Sequence, residues 1–291
     1  MSTTVTANIP PLPPRLAPWP IFFLIDLGGI ATLAASAPGS LLRPSEGDAP
    51  LFPAIGRQIR WMVGMGIPLV GLVHVSFGSF LAMQAYFGAT FTEAAGAVVG
   101  LGLIRNVAPL LSGFVLAGLI AAKITSDLRG GPKPGLDNPK SVPDRDVVQG
   151  IRPDARPIPS RSRTAFTRMT AAVIAGPLLA TWGALVGTLV GMLASKSMLG
   201  MSPAIFMGKI VEMLMITDVV GLIVKPSAFA AMAALISSYE GMRTPRLGEA
   251  DPFRAILRSV VMILFLNFTW FNLVYLAGDP FGPNVVAAPA G

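Results

Sequence analysis

The chain has no cysteine and a single histidine, His74. Disulfides, thiolate metal sites and cysteine nucleophiles are therefore excluded, as are His-cluster metal centres and histidine relays. Charge is scarce as well. Asp, Glu, Lys and Arg make up 13% of the 291 residues, about half the share usual in a soluble domain. A soluble fold of this size would lack the charge to cover its surface. Hydrophobic residues reach 53% and mean hydropathy is +0.65. This composition excludes a disordered chain, a coiled coil and a nucleic-acid-binding domain. The net charge of +7 is what basic loops on one side of a membrane protein produce. Gly-x4-Gly-Lys-Ser/Thr is absent, and so are a serine nucleophile elbow and paired carboxylates at helical spacing. The chain reads as a multi-pass membrane protein, not an enzyme, with no cofactor of its own.

A membrane helix needs roughly 20 mostly apolar residues. Charge-free runs extend from Trp61 to Thr92, Asn106 to Ala122, Met169 to Ser195 and Ser259 to Gly278. Another, Pro226 to Tyr239, is short alone and extends back to Val219 across Lys225. Five spans are expected, at 58–88, 97–127, 169–195, 219–239 and 258–278. Pro20–Leu42 is apolar but holds Asp26 and ends in Pro38 and Gly39. It lacks the basic front of a signal peptide and reads as an interfacial helix. Pro203–Thr217 carries Lys209 and Glu212 on one face and reads as a short helix at the outer surface.

Lys and Arg set the orientation. Segment 129–168 holds nine basic residues against four Asp, and 241–258 holds Arg243, Arg246, Arg254 and Arg258 against Glu249 and Asp251. Segment 89–96 carries only Glu93, and 196–202 only Lys196. All basic stretches share one side if the N-terminus is cytoplasmic and 279–291 lies outside. The expected division is a proline-rich cytoplasmic tail (1–19), an interfacial helix with linker (20–56) and a first helix pair (57–128). A basic proline-rich cytoplasmic loop follows (129–168), then the last three spans (169–278) and the outer tail (279–291). The loop reads either as a basic segment near anionic headgroups or as a docking surface for a cytoplasmic partner.

Ionic groups at membrane depth are costly, so each is a functional candidate. Arg105 lies within the second span. Lys123 and Asp127 share a face near its inner end. Asp218 and Lys225, two turns apart, share a face of the fourth. For the last four, the alternatives are snorkelling, internal ion pairs that lock helices, and function. Arg105 reads as functional, with Arg105→Ala expected to weaken that function and leave assembly intact. His74 reads as a helix–helix hydrogen-bond partner. Gly71, Gly78 and Ser79, with Gly183, Gly187 and Gly191 at four-residue spacing, read as close helix contacts.

Four motifs in order carry a resemblance. Gly78–Tyr86 resembles the Gly-x-x-Leu-x-x-Gln segment that ends the first span of MlaE/YrbE permeases. Arg105–Leu110, with Ala117 and Gly118, is similar to that family's Arg-Glu-x-Gly-Pro…Ala-Gly-Arg. Asp218–Lys225, with Phe229 and Gly241, resembles its Asp-x6-Lys…Phe…Gly, and Arg254–Val261 its Arg-Ala-x-x-Arg-x-Val-Val. The likeness covers roughly 55–128 and 165–278.

The resemblance implies an all-α fold, an N-terminal interfacial helix followed by five spans. It implies the membrane subunit of an ABC transporter moving lipids or other hydrophobic molecules in a bacterial inner membrane. The implied partners are a cytoplasmic ABC ATPase, an MCE-domain protein outside and a second protomer, identical or paralogous. Gln84, Tyr86, Arg105 and Asn106 would then line the lipid cavity. Asp127, Arg129, Arg243, Arg254 and Arg258 would face the ATPase. The sequence departs from the family pattern in three places. Leu119 stands where the family has Arg. Asn106 replaces its Glu, so an ion pair at that place is expected to be lost. Asp127–Gly131 replaces the usual Thr-Glu-Gln coupling segment. The altered segment also suits a non-transporting scaffold that anchors an MCE-type complex. The charges at 123, 218 and 225 also suit an ion-coupled secondary transporter.

Overall fold

A computed structural model describes residues 19–39, 50–88, 95–129, 161–243 and 252–276, and these are helical with no strand among them. In chain order the helices are α1 (Trp19–Gly39) and α2 (Leu51–Phe87). Next comes α3 (Ala95–Gly102), which passes through a π-helical turn (Leu103–Val107) into α4 (Ala108–Arg129). Then follow α5 (Arg161–Leu199), the short α6 (Pro203–Met213), α7 (Ile216–Arg243) and α8 (Pro252–Phe271), the last extended by a π segment (Asn272–Leu276).

Among the described residues five stretches are long and apolar enough to cross a membrane: Leu51–Phe87, Gly96–Ile124, Ser162–Leu199, Ile216–Gly241 and Pro252–Val274. The all-α membrane architecture expected from the sequence is the one found. The helices overrun the charge-free runs at several ends, because a helix does not stop where hydrocarbon does. Thus α5 starts at Arg161 and carries Arg163 and Arg168 on its first turns. Most of the basic loop, 130–160, lies outside the described residues, as do both tails.

Glycine determines how closely the helices approach. In lipid, packing and backbone proximity hold helices together, so small residues mark the seams. Between α2 and α5, a Cβ on Gly66 would strike the Leu179 side chain, and one on Gly183 would strike the His74 ring. A Cβ on Gly78 would lie 2.3 Å from the Gly187 carbonyl oxygen. The residue numbers rise together along this seam, so α2 and α5 run parallel. Each glycine of the four-residue repeat faces a partner, with Gly191 against Val99 of α3. His74 is buried there, and its Nδ1 donates to the Val70 carbonyl at 2.7 Å. It therefore bonds within its own helix and fills the notch over Gly183, instead of bridging two helices.

One polar bond does cross this seam: the Trp182 indole Nε1 donates to the Ile67 carbonyl at 3.0 Å. Trp182→Phe keeps most of the aromatic area and removes the donor. Its expected cost is about 1 kcal/mol, read as a lowered thermal midpoint in detergent. An unchanged midpoint would show the bond to be incidental.

At one end of the bundle α6 lies against α3. Its N-cap Ser202 accepts from the Ile205 N–H at 3.3 Å, and Pro203 follows in the first turn. Phe206 and Ile210 are buried, pressed on Gly96 and Gly100. Lys209 and Glu212 pair at 2.9 Å on the exposed side. The opposite end carries α1, whose Gly29 takes the Tyr239 ring of α7 and whose Ala37 is buried. There Glu240 of α7 pairs with Arg258 of α8, and more loosely with Arg254 at 3.8 Å.

Candidate functional site

The residues of the candidate site come from two directions. Arg105 and Asn106 sit in the π-helical turn between α3 and α4. Pro109 accounts for that turn. A proline has no N–H for the carbonyl four residues before it, and its ring crowds that carbonyl. The residue four before Pro109 is Arg105. A wider turn relieves the crowding, and such turns recur where a helix must present unusual groups.

Asp218 and Lys225 arrive from the first and third turns of α7, and both are buried. The Arg105 guanidinium grips Asp218 with two bonds: Nε to Oδ1 at 2.7 Å and Nη2 to Oδ2 at 2.9 Å. The same Nη2 reaches the Met213 carbonyl at 3.3 Å, and the Met215 N–H donates to Asp218 Oδ2 at 3.0 Å. Lys225 Nζ donates to the Arg105 carbonyl at 2.6 Å and to Asn106 Oδ1 at 3.1 Å. The lysine thus serves the very oxygen from which Pro109 withholds an N–H.

This arrangement has one negative and two positive groups, each tied by directed bonds. The planar guanidinium matches the carboxylate fork and is hard to replace by lysine. The Arg105 side chain is 28% exposed and that of Asp218 is fully covered, so the arginine is the member that meets the surroundings. Asn106 itself forms no ion pair, and Arg105 pairs instead with Asp218, 113 residues away. Asn106 has become the acceptor for Lys225.

The other expected residues stand elsewhere. Gln84 and Tyr86 lie on the exposed face of the last turn of α2, with Tyr86 edge-on to Phe87 at 5.3 Å. Neither side chain bonds the ionic cluster among the described residues. Lys123 places its ammonium 5.0 Å above the centre of the Trp61 ring, a cation–π contact between α4 and α2. Arg254 and Arg258 share Glu240, as described. The side chains of Asp127, Arg129 and Arg243 lie outside the described ones. Sequence reasoning missed Glu240 and Trp61 as partners. A glutamate immediately before the basic stretch 241–258 was a visible signal for the first; nothing in the sequence pointed to Trp61.

A probable ABC transporter permease protein of Rickettsia conorii is 26% identical over 261 residues, covering 87% of this chain and 93% of the relative. A similarly named protein of Rickettsia felis is 26% identical over 263 residues, covering 88% and 94%. One from Synechocystis is 25% identical over 217 residues, covering 71% and 76%. The family model described as Permease MlaE matches residues 55–129 and 155–273, segments that contain Arg105, Asn106, Asp218 and Lys225. On that match, over most of its length, the chain belongs to the MlaE permease family of ABC transporters.

Proposed function

We propose that this chain is the permease subunit through which lipids or other hydrophobic molecules cross or leave the membrane, powered by a separate ATPase. One observation carries the reading. The ionic groups at membrane depth are turned on one another, Arg105 and Lys225 around Asp218 and Asn106. Large flexible apolar side chains, among them Phe77, Phe80 and Met83 of α2 and Phe265 and Phe268 of α8, are exposed. An oily cargo needs a greasy, adaptable surface with few polar groups to orient its head. Gln84, Tyr86, Arg105 and Asn106 are the polar groups assigned to that surface.

The partners in this reading are a cytoplasmic ABC ATPase, an MCE-domain protein outside and a second permease protomer. The ATPase meets the end of the bundle that carries Asp127, Arg129, Arg243, Arg254 and Arg258. The membrane is the bacterial inner membrane, with the N-terminus cytoplasmic and the C-terminus outside. The test is purification in mild detergent, mass spectrometry of bound proteins and lipids together, and reconstitution with ATP. A co-purifying ATPase, bound lipid and ATP-dependent lipid movement are expected. Stable absence of any ATPase would replace the reading by a scaffold. Movement driven by a proton gradient without ATP would replace it by an ion-coupled transporter.

A further inference from the structure

Lys225, Pro226 and Ser227, in the third and fourth turns of α7, do something beyond completing the ionic cluster. Pro177 lies inside α5, so the Val173 carbonyl four residues earlier is offered no N–H by its own helix at that position. The Ser227 hydroxyl of α7 donates to that carbonyl at 3.1 Å. Serines and threonines within helices ordinarily bond back to their own turn. Ser76, Ser79, Ser259 and Thr269 all do so, each to the carbonyl four residues before it. Ser227 instead reaches across to another helix.

Two residues away, Lys225 performs the same service for the carbonyl affected by Pro109. Between them Pro226 presents its own carbonyl to Gly176, where a Cβ would come within 2.4 Å. Thus Lys225, Pro226 and Ser227 supply one proline-weakened helix on each side and bear against the second at a bare glycine. The two supplies are unequal. The lysine bond is charged and sits among buried groups. The serine bond is neutral and lies on the exposed side of the pair, so it is the weaker of the two.

α5 is packed on both sides of Pro177. Beyond it, Gly183 and Gly187 meet α2 at His74 and Gly78. Before it, Gly176 bears on the Pro226 carbonyl of α7, and Ala171, Ala172 and Ala175 share one core cluster with Ile55, Met62 and Val70 of α2 and with Ala230 and Ala234 of α7. We propose that Pro177 is a hinge in α5 and that the Ser227 hydroxyl is its latch. The Ser227–Val173 bond ties the turn that Pro177 weakens to α7, and releasing it lets α5 bend at that turn while the Lys225 side stays closed. Helices that cross membranes tolerate proline where a neighbour's hydroxyl replaces the lost donor, and hinges are built at a few such positions.

The absence of native cysteine allows a direct test. Leu189→Cys on α5 and Ile223→Cys on α7, both exposed, are spin-labelled in the full chain in lipid nanodiscs. The distance distribution between them is then read by pulsed electron resonance. The otherwise unchanged chain is expected to give one narrow peak. Ser227→Ala is expected to broaden or shift it at least twofold in width. Ser227→Thr keeps the hydroxyl and restores the narrow peak. Pro177→Ala returns the missing N–H, so Ser227→Ala added to it has no effect. A distribution unmoved by Ser227→Ala, or moved equally with and without Pro177, overturns the proposal. If Ser227→Ala no longer purifies, recovery in the Pro177→Ala background supports it and failure in both overturns it.

Discussion

Arg105→Ala is expected to destabilise the protein by about 3–5 kcal/mol, the cost of stranding one member of a buried ion pair. The substitution removes two bonds from an Asp218 carboxylate that has no solvent contact. It also takes the brace from the Met213 carbonyl at the end of α6. Measured against a total stability of about 5–15 kcal/mol, a loss of this size is visible as reduced yield and a collapsed thermal midpoint. This revises the expectation, natural from sequence alone, that the variant would lose transport and keep assembly. Arg105→Lys should fall between, since it keeps charge and loses the two-pronged grip. Arg105→Met combined with Asp218→Leu removes both charges and should recover most of the loss. Thermal unfolding of these chains, and of Arg105→Met and Asp218→Leu singly, in one detergent decides the matter. A double variant that loses as much as the two singles added together would show that the two side chains do not act as a pair.

Gly78→Ala is expected to cost about 1–3 kcal/mol or more, the penalty of overpacking a close contact. The added methyl would meet the carbonyl oxygen, carbonyl carbon and Cα of Gly187, at 2.3, 3.0 and 3.1 Å. These are backbone atoms, so no side chain can rotate away, and the two helices must part. Gly64 in the same helix is the control, because a Cβ there meets nothing within 4 Å. Gly64→Ala should leave stability unchanged or raise it by about 0.5–1 kcal/mol through helix propensity. Opposite signs for two glycine-to-alanine changes in one helix are a sharp outcome for a thermal-shift or denaturant series. Equal effects at both positions would mean that α2 and α5 are not held at backbone distance.

The number and approximate place of the spans were legible because a bilayer imposes length and excludes charge, two properties that a sequence displays directly. Their ends were not. Arg57 and Arg60 ride on α2, and Arg161 to Arg168 on α5, since long basic side chains can lean toward headgroups without breaking a helix. Within the site, the shared face of Asp218 and Lys225 followed from helical spacing alone. Their partner did not, because pairing across 113 residues depends on how helices meet and leaves no periodic trace. The position of Pro109, four beyond Arg105, was the readable clue to a carbonyl in need of a donor. Pro177, four beyond Val173, was the same clue a second time. His74 shows the opposite error. A polar ring amid small residues suggested a bridge between helices, yet it serves as a filler that completes the surface above a glycine.

Contact between main chains at Gly78 and Gly187 has a mechanical corollary. Side chains can yield by changing rotamer, whereas peptide groups resting on one another have no slack. Where Gly78 meets Gly187 the first and third membrane-crossing helices therefore move together as one stiff spar, and any bending of the third is left to the turn at Pro177.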